Sequence, residues 1–220
     1  MATRERTGTS ALEFLPERIT LENLREAARH CRGCPLYQDA TQTVFGRGPR
    51  SARLFVVGEV PGNDEDLAGE PFVGPAGRVL DEGLDRARIS RDEVYLTNVV
   101  KHFKFARQGK RRIHKTPTAR EIAACVPWLE KELEVVQPEV LLCLGATAAQ
   151  ALLGRDFRVT TQRGQVMGSA LAPAAIATVH PSSILRRPTP DDRRQAMAEF
   201  VADLRVVRRV LDGHSRGSRA

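Results

Sequence analysis

Four apolar, β-branched runs punctuate the chain, at residues 53–60, 93–100, 140–145 and 175–180, and each leads into a segment rich in Gly, Pro or polar residues. Such runs predict strands buried on both faces. Helix-like segments lie between them at 76–88, 119–136 and 146–153, and another, at 21–30, precedes the first strand. A last helix over 192–211 carries Met197, Phe200, Val201, Leu204 and Val207 as one buried stripe. Strands alternating with helices predict an α/β class, here a three-layer α/β/α sandwich around a four-stranded, mostly parallel sheet. With 220 residues the chain can bury one substantial core. Residues 18–212 are read as that domain, 1–17 as a flexible lead-in and 213–220 as a flexible basic tail.

Charge and cysteine content narrow the class. Lys and Arg number 34 against 27 Asp and Glu, a formal charge of +7 that favours a polyanionic partner such as nucleic acid. No run reaches the roughly 18 consecutive apolar residues of a membrane span, and residues 1–10 lack the apolar core of a signal peptide, so no membrane partner and a cytoplasmic location are expected. Four cysteines in a reducing compartment point away from disulfides. Cys31 and Cys34 form a CxxC pair, and Cys125 and Cys143 complete a set of four thiolate donors suited to zinc or an iron-sulphur cluster. Spacing alone leaves metal ligation and ordinary burial equally open.

In open parallel sheets ligands bind beyond the carboxyl ends of the strands. Chemistry-bearing residues follow every predicted strand here: Gly58-Glu59-Val60-Pro61-Gly62, Asn98 to Phe105, Gly145-Ala146-Thr147 and His180-Pro181-Ser182-Ser183. A further glycine-rich stretch, Gly69-Glu70-Pro71-Phe72-Val73-Gly74-Pro75-Ala76-Gly77, offers an aromatic face at Phe72.

Taken together with Leu96-Thr97-Asn98-Val99-Val100-Lys101, these segments resemble the family-four uracil-DNA glycosylases over nearly the whole chain, from about Leu24 to the last helix. The loop Lys110-Arg111-Arg112-Ile113-His114 is similar to the insertion that marks the UdgX-type covalent uracil-DNA-binding branch. The resemblance implies a [4Fe-4S] cluster on Cys31, Cys34, Cys125 and Cys143. It implies Phe72 stacking on uracil in a pocket that includes Gly58, Asn98 reading the Watson-Crick edge, and His180 bonding O2. The implied partner is uracil-containing DNA, single-stranded or with the base flipped out, bound by a monomer. The chain departs from the branch at Val60, where Gln is expected, and at Asn63, where an acid is expected; a valine side chain cannot hydrogen-bond, so capture is expected to be slower if position 60 helps to orient the histidine loop.

Residue chemistry supports these roles on its own terms. An amide donates to O4 while accepting from N3-H, so Asn98 has the groups to read uracil. A donor at O2, His180, stabilises the charge that grows on the leaving base. The sugar becomes a cation, which a neutral His114 imidazole could attack at C1′ with Glu59 receiving the proton from its other nitrogen. Lys110, Arg111 and Arg112 are expected to grip phosphates and to depress the His114 pKa. Ser182 and Ser183 either bond a phosphate or cap the next segment. Two other functions stay open: a conventional glycosylase releasing abasic DNA, and a non-catalytic iron-sulphur DNA-binding module. Glu59, Asn98 and His180 at three separate strand ends argue against the module, since backbone binding needs none of them.

Overall fold

Apolar runs flanked by good caps set the order of elements. The computed structural model describes residues 10–217. In chain order it contains α1 (Leu21–Ala28), β1 (Leu54–Gly58), α2 (Asn63–Ala68), α3 (Pro75–Arg86), β2 (Val94–Asn98), β3 (Phe105–Gln108) and β4 (Arg111–His114). Then follow α4 (Ala119–Val136), β5 (Val140–Leu144), α5 (Ala146–Leu153), α6 (Val159–Gln162), β6 (Ala174–Thr178), α7 (Pro181–Leu185) and α8 (Pro190–Gly217). Helix α4 starts where the hydroxyl of Thr118 accepts from the Glu121 amide and the Glu121 carboxylate accepts from the Thr118 amide. It ends at Gln137, in left-handed conformation with φ 49°.

The main sheet has the order β2-β1-β5-β6, and all three pairings are parallel. Alternate residues of β1 feed opposite layers, as a pleated strand requires. Phe55 and Val57 pack with Leu24 of α1 and Trp128 and Leu129 of α4; Leu54 and Val56 pack with Leu80 and Leu84 of α3 and Phe200 and Leu204 of α8. The result is the expected α/β/α sandwich. The chain leaves β1 for β2 on one side and β5 for β6 on the other, so the strand order reverses between β1 and β5. Such a switch point is where parallel sheets open a crevice for ligands.

Three sequence expectations change. The basic loop is an ordered antiparallel hairpin of β3 and β4, with Phe105 opposite His114. Gly109 has φ 59° at the first turn position, as a type II′ turn demands. The last helix runs on to Gly217, so the start of the segment expected to be a flexible tail is helical. Within the expected lead-in, Ala11–Phe14 form a 3-10 turn with Ala11 fully buried. The rest of those two terminal assignments, residues 1–9 and 218–220, lies outside the described residues.

Below the ends of β1 and β2 an ion pair is sealed from water. The Lys101 ammonium donates to Glu132, to the Thr97 hydroxyl and to the Asn98 carbonyl, the last at 2.8 Å. Glu132 also accepts from Tyr95 Oη and the Gly46 amide, both at 3.0 Å, and from Thr97. Breaking a buried pair strands a charge and costs about 3–5 kcal/mol. Lys101→Met is therefore expected to lower the unfolding free energy by about that amount in urea titrations. Lys101→Met combined with Glu132→Gln is expected to regain part of the loss, because the amide oxygen still accepts from Tyr95 and Gly46 without a stranded charge.

Candidate active site

A cavity of about 730 Å³ opens at the carboxyl ends of the strands. Glu59, Phe72, Asn98, His114 and His180 all line it, together with Val60, Ser182 and Arg186. Residues separated by more than a hundred positions thus meet where the switch point predicts.

The pocket floor depends on two glycines and a strained aromatic. Gly58 lies opposite Asn98 in the sheet register, and a Cβ there would come within 2.3 Å of Asn98 Oδ1 and 2.7 Å of Phe72 Cζ. Only glycine permits both side chains to approach. Phe72 has φ 58°, uncommon for a non-glycine residue and costly by about 1–3 kcal/mol. Its carbonyl would be 1.8 Å from a Cβ at Gly77, so that glycine is also required. Glu65 braces the arrangement: one carboxylate oxygen accepts from the Gly62 amide at 3.1 Å and the other from the Gly74 amide at 2.8 Å. The sequence reading missed Glu65, although Gly62-x-x-Glu65 is a helix-start pattern.

Asn98 is 3% exposed, and among the described residues its side-chain amide has no hydrogen-bond partner. Glu59 accepts from Thr147 Oγ1 at 2.6 Å through Oε2, while Oε1 is buried with no partner. Both groups are therefore free to serve a ligand.

His180 begins α7, and its Nδ1 accepts from the Ser182 amide at 3.2 Å and lies 2.8 Å from the Ser182 hydroxyl. An accepting Nδ1 leaves the proton on Nε2. Burial, helped by His114 and Arg186, pushes the His180 pKa down to about 4, so the ring is a neutral donor at pH 7.

His114 ends β4 at the cavity mouth, with part of its surface open to solvent and its ring partly enclosed by the cavity. Its pKa is nonetheless lowered, chiefly by burial and further by Arg186, with Glu59 pulling the other way. The depressing cation is Arg186 of the segment after α7, not the Lys110–Arg112 run that the sequence suggested. Arg186 was missed, and its place just after a histidine-serine motif is the signal that could have found it.

The basic run divides. Lys110 and Arg111 are exposed at the hairpin tip, as phosphate contacts would need. Arg112 turns inward: it donates to Asp66 at 2.6 Å, Asn63 Oδ1 at 2.8 Å and Thr41 Oγ1 at 3.1 Å, and lies over the Phe103 and Phe105 rings. It anchors the hairpin. Ser182 holds His180 and Ser183 donates to the His180 carbonyl at 2.7 Å, but the residue that caps α7 is His180 itself, so neither serine takes the capping role.

The family described as the Uracil DNA glycosylase superfamily matches residues 45–205. The chain belongs to that superfamily. A type-4 uracil-DNA glycosylase of Thermotoga maritima is 38% identical over 181 residues, covering 82% of this chain and 91% of the relative. Type-4 uracil-DNA glycosylases of Archaeoglobus fulgidus, 36% identical with 86% of this chain and 92% of the relative covered, and of Pyrobaculum aerophilum, 35% identical with 77% and 87% covered, are also similar.

In this superfamily member all four cysteines are buried in one packed layer, between the sheet and α1 and α4. Two sulfurs already receive hydrogen bonds: Cys31 from Trp128 Nε1 at 3.3 Å and Cys125 from the Lys101 amide at 3.2 Å. Burial pushes the Cys125 and Cys143 thiols up to about 12, so ionising them at neutral pH needs a strong positive charge beside them. Among the described residues no group of three or more His, Cys, Asp or Glu is set to hold a single metal ion.

Because Arg112 carries most of the polar contacts between the hairpin and the domain, Arg112→Ala is expected to speed amide hydrogen exchange across residues 105–114 by about tenfold or more. The β1 and β5 amides are expected to stay protected. Equal protection of the hairpin in both proteins would remove the anchor.

Proposed function

We propose that this protein excises uracil from DNA and captures the resulting sugar on His114. The observation that carries the reading is the partnerless Glu59 Oε1, which shares one cavity with a neutral His114 and with Asn98, Phe72 and a donating His180. In this reading the flipped uracil stacks on Phe72 above Gly58. The Asn98 amide donates to O4 and accepts from N3-H. As the N-glycosidic bond breaks, its electron pair leaves with the base, and His180 Nε2-H stabilises the charge at O2. The C1′ cation then accepts the lone pair of one His114 nitrogen, the other nitrogen's proton passes to Glu59, and the departing uracil takes up a proton in turn. An N-linked imidazole with no remaining proton to lose does not reverse readily.

Binding is electrostatic as well as specific. Lys110 and Arg111 at the hairpin tip meet phosphates, while Arg112 serves them indirectly by fixing the hairpin. Val60, on the cavity wall, offers no hydrogen bond to orient His114. Asn63 still accepts from Arg112, but as a neutral group in place of an acid.

Cys31, Cys34, Cys125 and Cys143 would hold a [4Fe-4S] cluster. Four sulfurs buried in one packed layer, two with hydrogen-bond donors in place, supply the number and softness of ligands that such a cluster needs. When bound, the cluster supplies cross-links between the N-terminal segment, α4 and β5 rather than chemistry at the base. Anaerobically purified protein is expected to be brown with about four irons per chain; a colourless protein with one zinc per chain would overturn the assignment.

A second reading has a specific basis. The relatives named above are type-4 uracil-DNA glycosylases, and in that reading water takes the C1′ cation and abasic DNA is released. Incubation with a uracil-containing oligonucleotide separates the two on a denaturing gel. A heat-stable shifted band with the wild type, lost in His114→Ser in favour of alkali-labile abasic DNA, supports capture. Alkali-labile product alone from the wild type supports turnover, and a cross-link mapped to a lysine rejects the histidine chemistry.

The pH dependence has a defined sign. Nucleophilic attack needs neutral His114, and its lowered pKa keeps it neutral below the ordinary histidine value of about 6.5. Capture rates are expected to hold as pH falls through about 6.5 and to decline only below it. A profile already half lost at the ordinary value would contradict the burial that lowers the His114 pKa.

A further inference from the structure

Glu59 follows β1 and Thr147 follows β5, the two strands between which the sheet reverses. Their side chains join across 88 sequence positions by the 2.6 Å bond from Thr147 Oγ1 to Glu59 Oε2. The other carboxylate oxygen is buried without a partner. Gly145 makes the meeting possible. Its φ of 90° turns the chain sharply from β5 into α5, so that Thr147 becomes the second residue of that helix. A Cβ at Gly145 would also lie 3.0 Å from the Cβ of His180, so the same glycine admits the histidine.

We propose that Thr147 is the positioning residue of Glu59, occupying one carboxylate oxygen so that the other faces the reacting centre. The inference rests on the reading of Glu59 as the proton acceptor. A glutamate has three side-chain torsions, and a carboxylate in a polar cavity can rotate to bond any donor it meets, including His114 or a phosphate-bound cation. One short bond from a hydroxyl on a rigid helix start removes that freedom. Thr147 touches neither the base nor the sugar in this scheme; it acts only through Glu59.

Thr147→Val keeps the shape of the side chain and removes the hydroxyl, while Thr147→Ser keeps the hydroxyl. Single-turnover rates of uracil loss and adduct formation, affinity for uracil-containing DNA, and urea midpoints are to be measured for both, with Glu59→Gln alongside. The expected result is a fall of about tenfold in the Thr147→Val rate, with affinity and midpoint within about twofold of wild type and the rate recovered in Thr147→Ser. A Thr147→Val protein as fast as wild type, a loss that Thr147→Ser does not recover, or a loss that appears in affinity or midpoint instead of rate each overturns the proposal. Glu59→Gln tells the two layers apart. If it is slow while Thr147→Val is normal, only the positioning role falls; if it is as fast as wild type, the reading of Glu59 falls and the positioning role with it.

Discussion

A lysine ammonium buried against a glutamate, Lys101 on Glu132, is the constraint on which the site depends. Taking either charge out of water costs several kcal/mol, so the pair is tolerable only when every partner is in place at once. Those partners come from separate segments: Gly46 ahead of β1, Tyr95 and Thr97 within β2, and the Asn98 carbonyl at its end. The turn from Asn98 to Lys101 is therefore not adjustable. Asn98 inherits that rigidity, and a side-chain amide can read a base edge only if its backbone cannot swivel. The Lys101 amide also donates to Cys125, which ties the cysteine layer to the same turn.

Above that floor, the electrostatics of the cavity keep two imidazoles neutral. Burial lowers both histidine pKa values, and each histidine lies in a field that Arg186 makes more positive. The same field favours a negative charge growing on a departing base. The neutral histidines are chiefly the work of burial, to which Arg186 adds at both rings while Glu59 pulls the other way at His114. Ser182 completes the design by fixing which His180 nitrogen carries the proton.

Much of this was legible in the sequence. The four strands stood out because both faces of a parallel sheet are buried, so each strand reads as an unbroken apolar run. The site residues were visible because the fold collects strand ends, which made Glu59, Asn98 and His180 neighbours before any distance was known. The hairpin was not legible. Its strands are four residues each and largely exposed, so no hydrophobic alternation marks them. What orders them is a contact between Arg112 and Asp66, 46 positions apart, which no local pattern encodes. Thr147 on Glu59, 88 positions apart, was hidden for the same reason. The expected depression of the His114 pKa by its own loop failed because Arg112 is consumed by Asp66, leaving Arg186 to act.

Bond cleavage and the fate of the sugar are physically separate in this architecture. The groups that would bind and release the base stand on β1, β2 and the start of α7, braced by the buried ion pair and by Glu65. The group that would intercept the sugar stands on a two-stranded hairpin, a unit that is marginal by itself in water. The hairpin leans on Arg112 and on the stacked rings of Phe103 and Phe105. A change at Asn63 or Arg112 would then alter how closely His114 approaches C1′ without disturbing the floor. At Asn63 the Arg112 hydrogen bond goes to a neutral amide and lacks the ion-pair attraction that a carboxylate would add, while Asp66 keeps the charged contact. On the proposed chemistry, the contest between imidazole and water for the same cation would turn on the stiffness of a surface hairpin, whereas the breaking of the glycosidic bond would turn on the core.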